Sequence, residues 1–352
     1  MPLIDFHCHA IPPAFVDSLR RGKLAEVLEL GQDDRLTFHA PAGIAVEPDM
    51  WLRPNVHDGD LILAALDDMR LDGAAISSPP EYFMYWARPQ DGEEIARLIN
   101  DGYAVWRERY PARLMPLATV PMQAPDLACR ELRRAIDELG LAGAAICTHV
   151  CGRELDDPSF EPFFATVAEL SVPLFLHPQN GGDADRLADY HLWNVVGFPF
   201  ETTEAAARLI LSGVFARHPA LRVVLAHGGG FLPYQIGRID HAWHRRANLR
   251  QRCPAPPSSY LGQIYCDALV HGQAALRLLA DVIGADHILP GTDYPFDMGS
   301  RTPLDALATA GIGAATLAGT LSTLLGRPDS KTTPRSRTGK WNGTRESRGH
   351  EK

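Results

Sequence analysis

Lysine is nearly missing from this chain. Of 352 residues only Lys23, Lys331, Lys340 and Lys352 are lysine, and three of these lie beyond position 326. Catalysis through a lysine Schiff base, including pyridoxal phosphate attachment, therefore lacks its required residue over most of the sequence. No apolar run approaches the ~20 residues needed to cross a bilayer, so no membrane association is expected. The first residues, Leu3-Ile4-Asp5-Phe6-His7, contain no basic stretch followed by an apolar one, and a cytoplasmic location is the expectation. Cys8, Cys129, Cys147, Cys151, Cys253 and Cys266 are scattered without a CxxC pair, which predicts free thiols rather than a disulfide framework. A phosphate-binding G-x-G-x-x-G loop is absent too. Gly228-Gly229-Gly230 has the wrong spacing, follows a histidine, and reads as a tight turn.

Basic charge is scarce except at one end. The formal net charge is −9, yet residues 327–352 carry eight Lys/Arg against three Asp/Glu. That leaves −14 on the preceding 326 residues, a body with no footprint for nucleic acid. The segment 327–352, rich in Ser, Thr, Gly, Arg and Lys, buries little apolar surface and is predicted to be a disordered tail. Residues 1–326 are predicted to form one domain.

Within that domain apolar and β-branched runs recur, each closed by turn residues. They predict strands at Leu3–His9, Ala74–Ser78, Leu114–Val120, Gly143–Thr148, Pro173–His177, Arg222–His227, Gln263–Asp267 and His287–Asp293. Helical periodicity falls between most of them, as at Asp126–Leu139, Phe160–Leu170, Thr203–Phe215 and Gln273–Ile283. Eight strands alternating with helices favour a closed (β/α)₈ TIM barrel. An open doubly wound sheet would need the phosphate loop that is lacking. The stretch from about 11 to 60, with several prolines and glycines, reads as an insertion after the first strand that folds over the barrel mouth.

The chemistry sits at strand ends. The first, fifth, sixth and eighth predicted strands finish at His7/His9, His177, His227 and Asp293. In such barrels the C-terminal strand ends build the active face. Residues two apart on a strand point the same way, so His7 and His9 face one side together. Taken singly, a buried histidine is more often a hydrogen-bonded core residue than a ligand, and Asp293 before Tyr294-Pro295 suits a turn. Taken jointly, imidazoles and a carboxylate in this order suit a divalent cation, Zn²⁺ first and Mn²⁺ second. The fourth predicted strand ends Ile146-Cys147-Thr148-His149, without a lysine to be carboxylated as a bridge, so a single metal is expected. His149 reads as a structural histidine.

Longer stretches carry a resemblance. DFHCH, ATVPMQAPDLA, ELGLAGAAICTHV, GVFARHPALRVVLAHGGGFLPYQIGRIDHAW, YCDALVH, DVIGADHIL and GTDYPF resemble the amidohydrolase superfamily, and more closely its decarboxylase branch typified by 2-amino-3-carboxymuconate 6-semialdehyde decarboxylase. The resemblance implies that His7, His9, His177 and Asp293 hold one metal and that His227 is the general base beside its water. It implies a reaction in which activated water adds across a double bond of a carboxylic acid substrate. The adjacent carbon is then protonated, and the carboxylate leaves as carbon dioxide. It further implies a homodimer in which Arg238 reaches the neighbouring subunit's site. Arg53 matches a second carboxylate-binding arginine, at a spacing a few residues off the family's, and Trp193 and Phe296 match pocket aromatics. After His177 the sequence departs, reading Pro178-Gln179-Asn180 where family members carry Trp and Asp after the proline. The chain beyond Met298 keeps only a trace of the usual final helices. The alternatives weighed are a mononuclear hydrolase or hydratase of the same superfamily and a catalytically silent small-molecule-binding barrel.

Overall fold

The computed structural model describes residues 2–42, 50–179 and 186–326. The predicted tail from 327 onward and Asn180 lie outside the described residues. Eight parallel strands, numbered here by their place in the barrel, form one sheet: β1 Ile4–His9, β2 Gly73–Ser77, β3 Leu114–Thr119, β4 Gly143–Cys147, β5 Pro173–His177, β6 Arg222–Leu225, β7 Ile264–Asp267 and β8 Ile288–Leu289. The sheet closes where Phe6 N–H donates to Pro290 O at 2.8 Å and His9 N–H donates to Tyr294 O at 2.7 Å. The (β/α)₈ barrel expected from the alternation of elements is the observed fold.

Each barrel strand is nearly continuous in buried residues, as a parallel sheet covered by helices outside and filled by side chains inside requires. β2 and β4 both open on glycine. A Cβ at Gly73 would collide with the carbonyl of Arg113, and one at Gly143 would lie 2.5 Å from Pro173 O. Neighbouring backbones approach too closely there for any side chain.

The outer helices follow their apolar stripes. In Gln273–Ile283, Leu276, Leu279 and Ile283 are buried, a spacing of three and four that gives one face. Each contributes roughly 1.5–3 kcal/mol by leaving water, so truncating any one of them to alanine would loosen this helix's seat. Gly284, at φ 103°, ends it. The predicted Thr203–Phe215 helix is divided instead into Phe198–Leu211 and Val214–Arg217, because Gly213 turns the chain at φ 82°.

The insertion after β1 has structure of its own. It holds helix Pro13–Arg20, a three-stranded antiparallel sheet of Leu28–Leu30, Arg35–Phe38 and Met50–Trp51, and a short helix Pro54–His57. Its return is tied to the barrel mouth, since Ile11 N–H donates to Val56 O at 2.9 Å, two residues beyond His9. At the opposite end of the chain, helices Pro303–Thr309 and Ala314–Leu325 pack through Leu307, Leu317, Leu321 and Leu324. Arg222, at the start of β6, donates to Thr323 O at 3.0 Å and to Gly326 O, so the divergent final helix is pinned to the barrel floor. Among the described residues no single helix is long and apolar enough to cross a membrane, and the one pair that passes together is this one, bent by 109°.

Candidate metal centre

Two of the five expected site residues lie past the strands predicted to carry them. β6 stops at Leu225 and β8 at Leu289, so His227 and Asp293 sit in turns rather than on strands. The reason is backbone conformation. His227 has φ 54° and Asp293 φ 56°, left-handed values that end a β ladder and are uncommon for side chains of this size. The glycines Gly228 to Gly230 continue the turn at φ 64°, 75° and 60°, the tight turn expected of that triplet. Asp293 is held by its N–H donating to His7 O at 2.7 Å. Such conformations persist where surrounding contacts over-determine them, commonly at functional sites.

The five side chains converge. His7 Nε2 lies 3.1 Å from His9 Nε2, and each lies 3.2 Å from Asp293 Oδ1. His7, His177, His227 and Asp293 each present a ligand atom within 4.8 Å of the others. His227 differs in its approach. Its Nε2 faces the other carboxylate oxygen, Asp293 Oδ2, at 3.7 Å, and its side chain is 17% exposed where those of His7 and His9 are fully buried.

A metal ion fits this donor set. Nδ1 of His7 contacts Asp267 Oδ2 at 2.6 Å, Nδ1 of His177 contacts Pro178 O at 2.6 Å, and Nδ1 of His9 lies 3.4 Å from Ser77 Oγ. With Nδ1 carrying the proton in each ring, all three Nε2 lone pairs point into one space. His177 Nε2 and Asp293 Oδ1 are buried and have no hydrogen-bond partner, an arrangement that costs free energy unless a cation completes it. Donor spacings of 3.1–3.2 Å are close to the ~3.3 Å expected around a tetrahedral ion with bonds of about 2.0–2.1 Å.

Electrostatics agree. Burial, reinforced by the imidazoles of His9, His7 and His227, holds His177 far below the ordinary histidine range. His9 is lowered, chiefly by burial. Burial also works against protonating His7, but Asp293 and Asp267 outweigh it and raise that ring to about 10. Asp293 stays ionised despite its burial, because His7 and the other imidazoles hold it well below the usual carboxylate range. In this cluster protons and metal ions compete for the same lone pairs.

A protein-family model described as amidohydrolase matches residues 4–323. The chain belongs to the amidohydrolase family. A 2-amino-3-carboxymuconate-6-semialdehyde decarboxylase of Dictyostelium discoideum is 40% identical over 250 residues, covering 71% of this chain and 70% of that protein. A gamma-resorcylate decarboxylase of Rhizobium radiobacter is 38% identical over 224 residues, covering 58% of this chain and 66% of its own. Among solved structures, a dihydroxybenzoic acid decarboxylase from Polaromonas with bound manganese and 2-nitroresorcinol superimposes with TM-score 0.74 at 27% identity. That match covers 92% of this chain and 96% of the other.

The remaining expected residues of this amidohydrolase are placed unevenly. The Phe296 ring is 5.4 Å from His9. Trp193 packs 5.3 Å from Phe198, and Phe198 in turn lies 6.2 Å from His177 and stacks on His227 at 6.3 Å. Phe198 is the nearer aromatic, missed because it stands at a helix start with no strand-end signal. Trp193 belongs to a π-helical turn, Trp193–Gly197, an irregularity common at functional sites. Arg53 is exposed at the start of helix Pro54–His57 on the mouth rim. Arg238 is exposed on helix Leu232–Arg245. Neither guanidinium has an ion pair or hydrogen bond among the described residues. Gln179 Nε2 donates to the His149 carbonyl at 2.8 Å and lies 3.3 Å from that ring's Nδ1.

Sequence reasoning overlooked two buried acids. Asp5 accepts from His7 N–H at 2.9 Å and from Thr292 N–H at 3.1 Å, locking β1 to the turn that carries Asp293. Asp267 accepts from the His7 ring and from the N–H groups of His227 and Gly228. The signal for Asp267 was available: it ends the seventh predicted strand just as His177 ends the fifth.

Proposed function

We propose that this chain is a metal-dependent, non-oxidative decarboxylase of a carboxymuconate semialdehyde or a related aromatic-catabolic carboxylic acid. The observation that carries the reading is the convergence of His7 Nε2 and His9 Nε2 on Asp293 Oδ1, with the unpartnered Nε2 of His177 in the same buried cluster and His227 facing Oδ2. Relatives named as decarboxylases act on carboxymuconate semialdehyde and gamma-resorcylate, which direct the choice of acid.

His7, His9, His177 and Asp293 would hold one divalent ion, and the donor set of three imidazoles and one carboxylate favours zinc. Manganese is the second choice, as bound in the Polaromonas structure. The ion would polarise a water molecule and orient the substrate. His227 is the acid–base residue: its Nε2 accepts a proton from that water and returns it to the substrate carbon that loses carbon dioxide. The hydroxide left by that water adds to the neighbouring carbon of the double bond. As the bond to the carboxylate breaks, its electron pair restores the double bond and expels that hydroxide. Phe296, Phe198 and Trp193 would wall a flat, unsaturated acid.

Arginine's planar fork suits the departing carboxylate. We assign that contact to Arg53 from the insertion and to Arg238 from a second copy of the chain in a homodimer. Tyr234 and Arg238 lie one helical turn apart and so share a face. Phe231, just before that helix, donates its N–H to Thr203 Oγ1 on the helix that carries Phe200. Tyr234, Phe231 and Phe200 are all exposed, as apolar side chains at interfaces are in the free chain. Six free cysteines suit a reducing compartment, the cytoplasm.

The test is a carbon dioxide release assay with carboxyl-¹³C acids, spanning carboxylated muconate semialdehydes and hydroxybenzoates. Labelled carbon dioxide from at least one acid is expected. A product that keeps the labelled carboxylate, from hydration or hydrolysis, would overturn the assignment.

A further inference from the structure

Asp267 ends β7 with no exposed surface, and four N–H groups converge on its carboxylate. Oδ2 contacts the His7 ring at Nδ1, 2.6 Å away, and accepts from His227 N–H at 2.8 Å. Oδ1 accepts from Gly228 N–H at 2.8 Å and from Leu269 N–H at 2.9 Å. No other protein side chain but a carboxylate offers so many acceptor sites and no donor. An asparagine in its place would turn its amide hydrogens toward two of these N–H groups, whichever way it rotated.

The two partners on Oδ2 have different duties. His7 can present Nε2 as a lone pair only if Nδ1 carries the proton, and the carboxylate selects that tautomer. His227 owes its position to a left-handed backbone at φ 54°, an unfavourable conformation for a histidine. The amides of His227 and Gly228 find acceptors on Asp267 in that conformation and no strand partner. Space for the arrangement is built in: a Cβ at Gly291 would lie 2.5 Å from Asp267 Cβ and 3.2 Å from His7 Cβ.

We propose that Asp267 is the positioning residue that couples the two halves of the site, setting the tautomer of His7 as a ligand and the backbone that presents His227. The proposal rests on the metal-site reading above. It assigns Asp267 no contact with substrate.

The experiment compares full-length wild type with Asp267→Asn, using zinc alone as the probe in a chelator competition. The variant is expected to bind zinc about 10–100-fold more weakly, as loss of such supporting contacts does. At saturating zinc its kcat should fall roughly tenfold or more while KM changes little, because His227 is misplaced and the substrate walls are not. Wild-type zinc affinity and wild-type kcat, with only a lowered Tm, would reduce Asp267 to a structural residue and overturn the proposal. Should Asp267→Asn not fold, ¹⁵N-histidine NMR of the metal-free wild type decides. The His7 ring, assigned by loss of its signals in His7→Gln, should carry an exchange-protected proton on Nδ1. A His7 protonated on Nε2 alone would overturn the proposal. Neither the zinc arm nor the NMR arm needs turnover, so a wild type that binds zinc but decarboxylates nothing refutes the decarboxylase reading only.

Discussion

The floor of the cluster and its rim are built differently. At the floor, His7, His9, His177 and Asp293 are buried, and the histidine rings are steadied by partners from the same chain. At the rim, Arg53 and Arg238 are exposed and unengaged among the described residues, and neighbouring aromatics lie open. Burial with complete support describes a device finished within one chain. Exposure of the arginines suits the proposal that a substrate and a second copy complete the site. The two regions should therefore respond to different insults.

The deepest break falls on the floor. His177→Ala or Asp293→Ala is expected to lower carbon dioxide release by roughly 10³-fold or more and to abolish tight zinc binding, measured on the same purified samples. At the rim, Arg238→Ala should keep wild-type zinc while losing ~2–5 kcal/mol of transition-state stabilisation, the usual cost of truncating one partner of a desolvated charge pair. Mixing Arg238→Ala with His227→Ala sharpens the contrast. If Arg238 serves the neighbouring site, mixed dimers regain one intact site and activity returns. Two variants that stay inactive when mixed would place Arg238 with its own subunit. Trp193→Ala comes next, since an aromatic contact is worth about 0.5–1.5 kcal/mol beyond its area, read as a KM rise of up to about tenfold.

At Glu201, on helix Phe198–Leu211, the expected effect is on stability rather than turnover. Burial first, then Glu204 and Glu154, raise this carboxyl from 4.5 to about 7. A carboxyl raised by folding favours the native state while neutral and opposes it when ionised. Its cost is absent below pH 4.5, grows as pH rises toward 7, and is complete above that. Glu201→Gln should thus leave stability nearly unchanged at pH 4.5 and gain ~1–3 kcal/mol over wild type at pH 8, measured by urea unfolding at both values.

Much of the floor was legible in sequence because regular strands impose their period. His7 and His9 two apart on β1, and His177 closing β5, follow from alternation alone, and the barrel follows from eight such runs. His227 and Asp293 were found as residues but misplaced on strands. Left-handed backbone at a histidine and an aspartate has no sequence signature comparable to glycine's. Asp267 was passed over because its role is to receive N–H groups from three different segments, a tertiary fact. The insertion's small sheet was not foreseen because its strands are three, four and two residues long, too short for a period to show.

The central claim is that one divalent ion, held by the floor of a single chain, makes this protein a decarboxylase. Metal analysis and carbon dioxide release should be followed together as the metal is stripped by chelation and returned by titration. The account predicts one ion per chain, release that vanishes with the metal, and recovery complete at one equivalent. Release that survives full chelation would contradict it.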